Sequence, residues 1–200
     1  PLQKWIGIAL TCALSYALYN ISIKKGSANL HPVLGGVILQ FVAAMLGAML
    51  WTVQYVRGRE SLRNLSKDGL KWSIGAGLWV GIAEMVSFGV SGAGVPATQF
   101  IPIIIGGSVL FGAVLGILTL GEVLMCHGWS GVALLCSGIA LVASCGAMVE
   151  GGGDSDLTVA PPLALWTGPA LFCALAYACY NICIKKGSSH ISPILGGVIL

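Results

Sequence analysis

Charge is scarce in this chain of 200 residues. Charged side chains make up 8% of it, whereas hydrophobic side chains make up 56%. Soluble globular proteins carry about 25% charged residues, so this chain has too few charges to cover a water-facing surface. Disordered chains need high charge and low hydrophobicity, and they are excluded for the same reason. The composition therefore indicates an integral membrane protein.

The chain also lacks the motifs of common catalytic and metal sites. It contains no HExxH zinc motif, no GxxxxGK[ST] phosphate loop and no GxSxG nucleophile elbow. Its seven cysteines are an odd number and include no CxxC pair, which argues against zinc, redox and disulfide frameworks. The basic residues mark loops and form no stripe, so nucleic acid is not an expected partner. We expect no enzyme activity, no metal and no cofactor.

Apolar runs long enough to cross a bilayer follow one another along the chain. A helix needs about 20 apolar residues to cross a hydrocarbon core, and helices are the default because backbone polar groups in lipid must be satisfied internally. Six runs meet this requirement, and a seventh begins at Pro193 and is cut off. The six runs cover residues 5–23, 33–56, 70–91, 102–120, 129–149 and 163–184. The predicted fold class is all-α integral membrane.

Basic residues are distributed unevenly between the two sides that alternate runs define. The N-terminal side holds eight Lys and Arg residues, whereas the other side holds two, Lys24 and Lys25. Because the side richer in Lys and Arg is usually cytoplasmic, we expect a multi-pass protein with a cytosolic N-terminus. The choice between the plasma membrane and an organelle membrane stays open.

The chain contains a long internal repeat. Residues 5–39 and 166–200 are identical at 24 of 35 positions, with a constant offset of 161 residues. Five runs separate the two copies, and because five is odd, the second copy is expected to enter the membrane in the opposite direction. Inverted repeats are a basis of secondary transporters, since two related halves can open a central site to each side in turn. The alternative is a duplication that only stabilises the bundle.

The repeat unit carries short motifs in a fixed order. Its first run and the entry to the second contain Tyr16, Tyr19, Asn20, Ile23, Lys24, Gly26-Ser27, Pro32 and Gly35-Gly36. Its fourth and fifth runs contain Val95-Pro96-Ala97-Thr98, Pro102, the stretch GAVLGILTLGE that ends at Glu122, Gly131 and Gly138. Collectively these motifs resemble the EamA-type repeat of the drug/metabolite transporter superfamily, over essentially the whole chain.

This resemblance implies a ten-helix transporter built from inverted five-helix repeats around a central substrate cavity, here truncated to about six and a half spans. Residues 1–150 would form the first repeat, 151–162 an acidic Gly/Pro linker and 163–200 the start of the second repeat. The expected partners are the lipid bilayer, a small-molecule substrate and the missing C-terminal half of the same protein. A homodimer is a further option.

The function expected from these patterns is secondary transport of a small metabolite by alternating access, with proton coupling as one option. The chain holds no ATP-binding motif, so an ion or substrate gradient would supply the energy. The alternative is a non-transporting multispan protein with a structural or sensory role.

Glu84 is the first candidate site residue, because it is the only acid well inside an apolar run. A charged side chain near the bilayer centre costs at least about 2.5 kcal/mol, so such residues usually face a cavity or a partner. One interpretation is a proton-coupling or substrate-contacting group. The other is a protonated Glu that forms a hydrogen bond with a neighbouring helix.

Polar residues of the repeat give a second set of candidates. Tyr16 and Asn20 are four residues apart and share a helix face, and they recur as Tyr177 and Asn181. Two such faces would line a cavity related by the repeat, whereas Tyr19 is expected to point elsewhere. The alternative places Tyr19 in an interfacial aromatic belt and Asn20 in an interhelical hydrogen bond.

Three further candidates lie on or beside the fourth run. Gln99 and Ser108 flank Pro102 and a Gly-Gly pair, and Gly and Pro interruptions often mark transporter binding sites. Glu122 ends this run and is a candidate gate or ion pair, or else a solvated carboxylate at a turn. The lysine pairs that follow the first and sixth runs are interfacial anchors or, alternatively, recruit an anionic substrate.

Overall fold

The computed structural model describes residues 2–59, 66–149 and 163–199, so the acidic linker lies outside the described residues. These three ranges contain seven α-helices and no β-strand. The helices are α1 (Leu2–Ser27), α2 (Pro32–Val56), α3 (Lys67–Gly92), α4 (Ala97–Leu120), α5 (Cys126–Val149), α6 (Leu163–Gly187) and α7 (Pro193–Ile199). The all-α prediction is confirmed for these residues.

Five of the helices are long and apolar enough to cross a membrane. These spans are Ile6–Ser27, Pro32–Val56, Lys67–Gly92, Ala97–Leu120 and Leu165–Gly187. Within the described part of α5, the segment Cys126–Val142 is also apolar. The five long helices are consistent with a multi-pass membrane protein, which is the class that the composition predicted.

Helix ends extend beyond the predicted runs because capping residues set them. Ser66 precedes α3, and its Oγ accepts a hydrogen bond from the Gly69 amide at 2.9 Å, so α3 begins at Lys67 and not at residue 70. The α4 helix begins directly after Pro96 and includes Pro102 in its second turn, where the run was expected to begin. Gly121 ends α4 in the left-handed conformation, with a φ of 66°.

The core is formed where α6 packs against α3 and α4. Small side chains of α6 let the backbones approach, and the Cys173 thiol donates to the Ala83 carbonyl of α3 at 3.2 Å. On α4, a Cβ added at Gly107 would lie 2.8 Å from the Cβ of Ala174, so α6 lies directly against that glycine. The fully buried small residues of α6 are Ala170, Cys173, Ala174, Ala176 and Ala178.

Helix α1, the repeat counterpart of α6, packs differently. Its Leu10, Leu14 and Leu18 side chains are 58–66% exposed within the chain. The α1 residues that correspond to the buried small side chains of α6 are all exposed; they are Ala9, Cys12, Ala13, Ser15 and Ala17. Nearly the same sequence therefore occupies a packed position in α6 and an open position in α1.

The C-terminal ends of α1 and α6 contact opposite ends of α3. At the end of α1, Lys24 Nζ donates to the carbonyls of Ser91 and Val95, which lie at and just after the end of α3. At the end of α6, Gly187 lies against Trp72 in the second turn of α3. Helix α1 therefore runs in the same direction as α3, and α6 runs against it.

Candidate binding cavities

A first cavity of about 380 Å³ lies between α1, α4 and α6. Its volume falls in the usual range for small-molecule sites, roughly 300–1,000 Å³. The lining is mostly apolar and includes a few polar groups, a composition typical of ligand pockets. It consists of Ala13, Tyr16, Ala17, Tyr19, Asn20, Ile101, Ile104, Ile105, Ser108, Tyr177 and Asn181.

A second cavity of about 320 Å³ lies between α1, α2, α3 and α6. It is lined by Cys12, Ser15, Tyr16, Tyr19, Leu39, Gln40, Ala43, Val80, Glu84, Tyr177 and Tyr180. Three tyrosines, Tyr16, Tyr19 and Tyr177, line both cavities, so the two spaces share a wall of phenol rings.

The shared wall joins the two copies of the repeat. The Tyr16 and Tyr19 rings meet edge to face, with centroids 6.1 Å apart. The hydroxyl of Tyr19 on α1 lies 3.4 Å from the hydroxyl of Tyr177 on α6. Tyr19, which we expected to point away from the cavity, is thus central to it, because α6 approaches α1 on the side where the Tyr19 hydroxyl lies.

Glu84 is buried at the edge of this wall, with 2% of its surface exposed. The Tyr177 hydroxyl donates to Glu84 Oε1 at 2.7 Å. The other carboxylate oxygen, Oε2, has no hydrogen-bond partner in the part of the chain that the structure describes. The Glu84 carboxylate therefore accepts an interhelical hydrogen bond through one oxygen, while its other oxygen is buried and unpaired beside the second cavity.

A second polar group in this cavity is also unpaired. The amide nitrogen of Gln40 on α2 is buried and forms no hydrogen bond within the described residues. Sequence reasoning missed Gln40, although a polar residue inside the apolar run 33–56 was a usable signal. Together Gln40 and Glu84 give the cavity one donor and one acceptor that nothing from the described chain satisfies.

The polar groups of the first cavity are partly satisfied by their own helices. Asn20 donates from Nδ2 to the Tyr16 carbonyl at 2.8 Å, and Ser108 donates to the Ile105 carbonyl at 2.7 Å. Asn181 lines the same cavity from an exposed position. The structure thus brings together five predicted residues here: Tyr16, Asn20, Ser108, Tyr177 and Asn181.

Two other candidates lie apart from both cavities. Gln99 is half-buried in the first turn of α4 and lines neither of them. Glu122 lies just after α4, where its Oε1 is 3.8 Å from Lys185 Nζ. Their side chains are 55% and 66% exposed, so this contact is a weak, solvent-screened ion pair.

Two lysines at the helix ends, Lys24 and Lys186, contact a neighbouring helix. Lys24 donates at 3.0 Å and 2.8 Å to the carbonyls at the end of α3, where a cation complements the helix dipole. Lys186 lies over the ring of Trp72, with Nζ 4.8 Å from the centroid. Neither side chain is among the described residues that line the two cavities.

No protein-family model matches this sequence, and comparison with curated proteins and with solved structures found no significant match. Within the ranges that the structure describes, no group of three or more His, Cys, Asp and Glu side chains is arranged to hold a metal ion.

Proposed function

We propose that this protein is a secondary transporter that moves a small metabolite across a membrane by alternating access. One observation carries the proposal. Two cavities of ligand size meet at tyrosines contributed by both copies of the repeat, beside a buried carboxylate on an apolar helix. Polar and ionisable residues inside spanning helices are rare, and they commonly mark substrate or ion pathways.

The proposed architecture is a pair of inverted five-helix repeats of the EamA type. The contacts of Lys24 and Gly187 with opposite ends of α3 support it, because they give the two repeat copies opposite directions in one bundle. Inversion is the property that lets two halves exchange roles around a shared site. The N-terminus is proposed to be cytosolic, on the Lys and Arg distribution.

The open face of α1 supports a second half of the protein that includes further helices. In α6 the small residues of the repeat are buried against α3 and α4. The corresponding residues of α1 are exposed, although the two segments are nearly identical in sequence. We propose that a helix pair equivalent to α3 and α4 covers α1 in a ten-helix protein, and that the cavities then lie between the two halves.

Proteoliposome uptake tests the proposal. The full-length protein is reconstituted and assayed across a panel of labelled metabolites, with and without a pH gradient. We expect one solute class to accumulate and Glu84→Gln to abolish the response to the pH gradient, because the amide has the shape of the acid but does not exchange a proton. The measurement is the initial uptake rate.

Asp68→Asn is the matched control, since it makes the same chemical change in the first turn of the same helix, where Asp68 forms only an exposed ion pair with Lys71. It should leave uptake unchanged. No accumulation by the wild-type protein across the panel would favour a structural or sensory role. Retention of the pH response by Glu84→Gln would remove the coupling role from Glu84.

A further inference from the structure

We infer that the second cavity binds a small organic amine in its protonated form, held by Glu84 Oε2 and the surrounding tyrosine rings. This inference rests on the proposed function and names the substrate class of that site. It concerns the equilibrium chemistry of binding, so it is testable without transport.

Glu84 has an unpaired carboxylate oxygen beside the second cavity. Tyr177 satisfies Oε1 at 2.7 Å, whereas Oε2 is buried at the cavity without a partner from the described chain. A buried acceptor that lacks a donor is destabilising. A ligand N–H would satisfy it, and a positively charged N–H would add a charge-assisted bond.

The second cavity has an aromatic lining. Tyr16, Tyr19, Tyr177 and Tyr180 all contribute to the second cavity. The face of an aromatic ring carries negative electrostatic potential and attracts ammonium groups within about 6 Å. Four phenol rings beside one carboxylate form a surrounding that is favourable to a cation and also accommodates an apolar body.

The charge of the cavity lining also favours a cation. Among the described residues, the lining of the second cavity includes one acid, Glu84, and neither cavity is lined by a Lys, Arg or His. Lys24 of α1 is held by the carbonyls at the end of α3. An anionic ligand would meet a like charge without a compensating cation, and this arrangement disfavours its binding.

Equilibrium binding to the purified full-length protein in lipid nanodiscs tests the inference with four probes of similar shape. Phenethylamine is cationic with N–H donors, 2-phenylethanol is neutral, phenylacetate is anionic, and trimethylated phenethylammonium is cationic without N–H. We expect phenethylamine to bind tightest, at least about tenfold more tightly than each of the others.

Variants locate the binding. We expect Glu84→Gln to weaken phenethylamine binding by roughly 30-fold or more, because the ammonium group loses its buried charged partner. Glu84→Asp retains the charge and should recover part of the affinity. Asp68→Asn, an exposed acid on the same helix, should bind like the wild type. Thermal unfolding of each variant reports whether it is folded.

Several results would overturn the inference. These are phenylacetate, 2-phenylethanol or the trimethylated cation binding as tightly as phenethylamine, no probe binding, or Glu84→Gln retaining full affinity while folded. The probe comparison on the wild-type protein decides the matter even if a variant misfolds. Amine binding without uptake in proteoliposomes would uphold this inference and contradict transport, whereas uptake of other solutes with no amine binding would do the reverse.

Discussion

At the scale of single residues, the Tyr177 hydroxyl connects the two repeat copies to the buried acid. This hydroxyl donates to Glu84 Oε1 at 2.7 Å and lies 3.4 Å from the Tyr19 hydroxyl. These contacts connect α1, through α6, to the acid on α3. They hold the Glu84 side chain at the boundary of the second cavity.

Lys24 gives a prediction at this scale. Replacing it by Met should remove two charge-assisted bonds to the carbonyls at the end of α3 and lower the stability by about 1–3 kcal/mol. Thermal unfolding in detergent, followed by tryptophan fluorescence, measures the change. Lys25→Met is the matched control, because Lys25 is exposed and lies next to Lys24 in the sequence. Equal melting temperatures for the two variants would contradict the proposed contact.

At the scale of helices, the close packing of α4 against α5 and α6 depends on glycines, which have no side chain. Gly106 faces Ile139 of α5, and Gly107 faces Ala174 of α6. A helix with glycine at the contact lets its neighbour approach closely, and the gain is van der Waals packing. Because α4 and α6 together form walls of the first cavity, this packing also sets the width of the cavity.

The Gly107→Ala substitution tests this packing, because a close contact predicts that it lowers the stability, whereas open space predicts that it raises the stability. Alanine favours a helix by about 1 kcal/mol over glycine, but the new methyl would lie 2.8 Å from the Cβ of Ala174, so we expect a net destabilisation of about 1–3 kcal/mol. Gly112→Ala, on the same helix, meets no atom within 4 Å and should be neutral or stabilising. Melting temperatures of the two variants are compared with the wild type. A Gly107→Ala variant as stable as Gly112→Ala would show that α6 is not in close contact there.

The two repeat helices α1 and α6 also differ in packing despite their similar sequences. The sequences of α1 and α6 are nearly the same, yet the small face is buried in α6 and exposed in α1. The difference arises from the neighbours, since α6 lies between α3 and α4 and α1 lies at their edge. Repetition of sequence therefore predicts which face can pack, and the surrounding helices decide whether it does.

At the scale of the whole molecule, the proposed transport depends on the membrane orientation of the two repeat copies. Epitope tags placed after Lys25 and after Lys186 should be accessible from opposite sides of the membrane, because five helices separate the two positions in an inverted repeat. Antibody access in intact and permeabilised cells measures this. Tags at residues 25 and 28 provide a matched pair that must report the same side. Access to both repeat tags from one compartment would contradict the inverted architecture and the transport that depends on it.

Much of the fold follows from local sequence. Run lengths predicted helix bounds to within a few residues, because a backbone in lipid satisfies its polar groups most simply as a helix. The i, i+4 spacing placed Tyr16 and Asn20 on one face, and both line the first cavity. Glu84 was recognisable as a site candidate because a lone acid in an apolar run is costly unless it has a partner or a cavity.

Composition and the lengths of the apolar runs by themselves indicated an all-helical membrane protein with a duplicated segment and one conspicuous acid within an apolar run. Only the tertiary structure decided that Tyr19 meets Tyr177, that Gln40 joins Glu84 in one cavity, and that Gln99 and Glu122 lie elsewhere. The physical reason is that a spanning helix is apolar on most of its surface, so no hydrophobic stripe marks the side that contacts protein. Neighbouring helices are selected instead by the close packing of small residues, and this packing depends on the arrangement of all the helices.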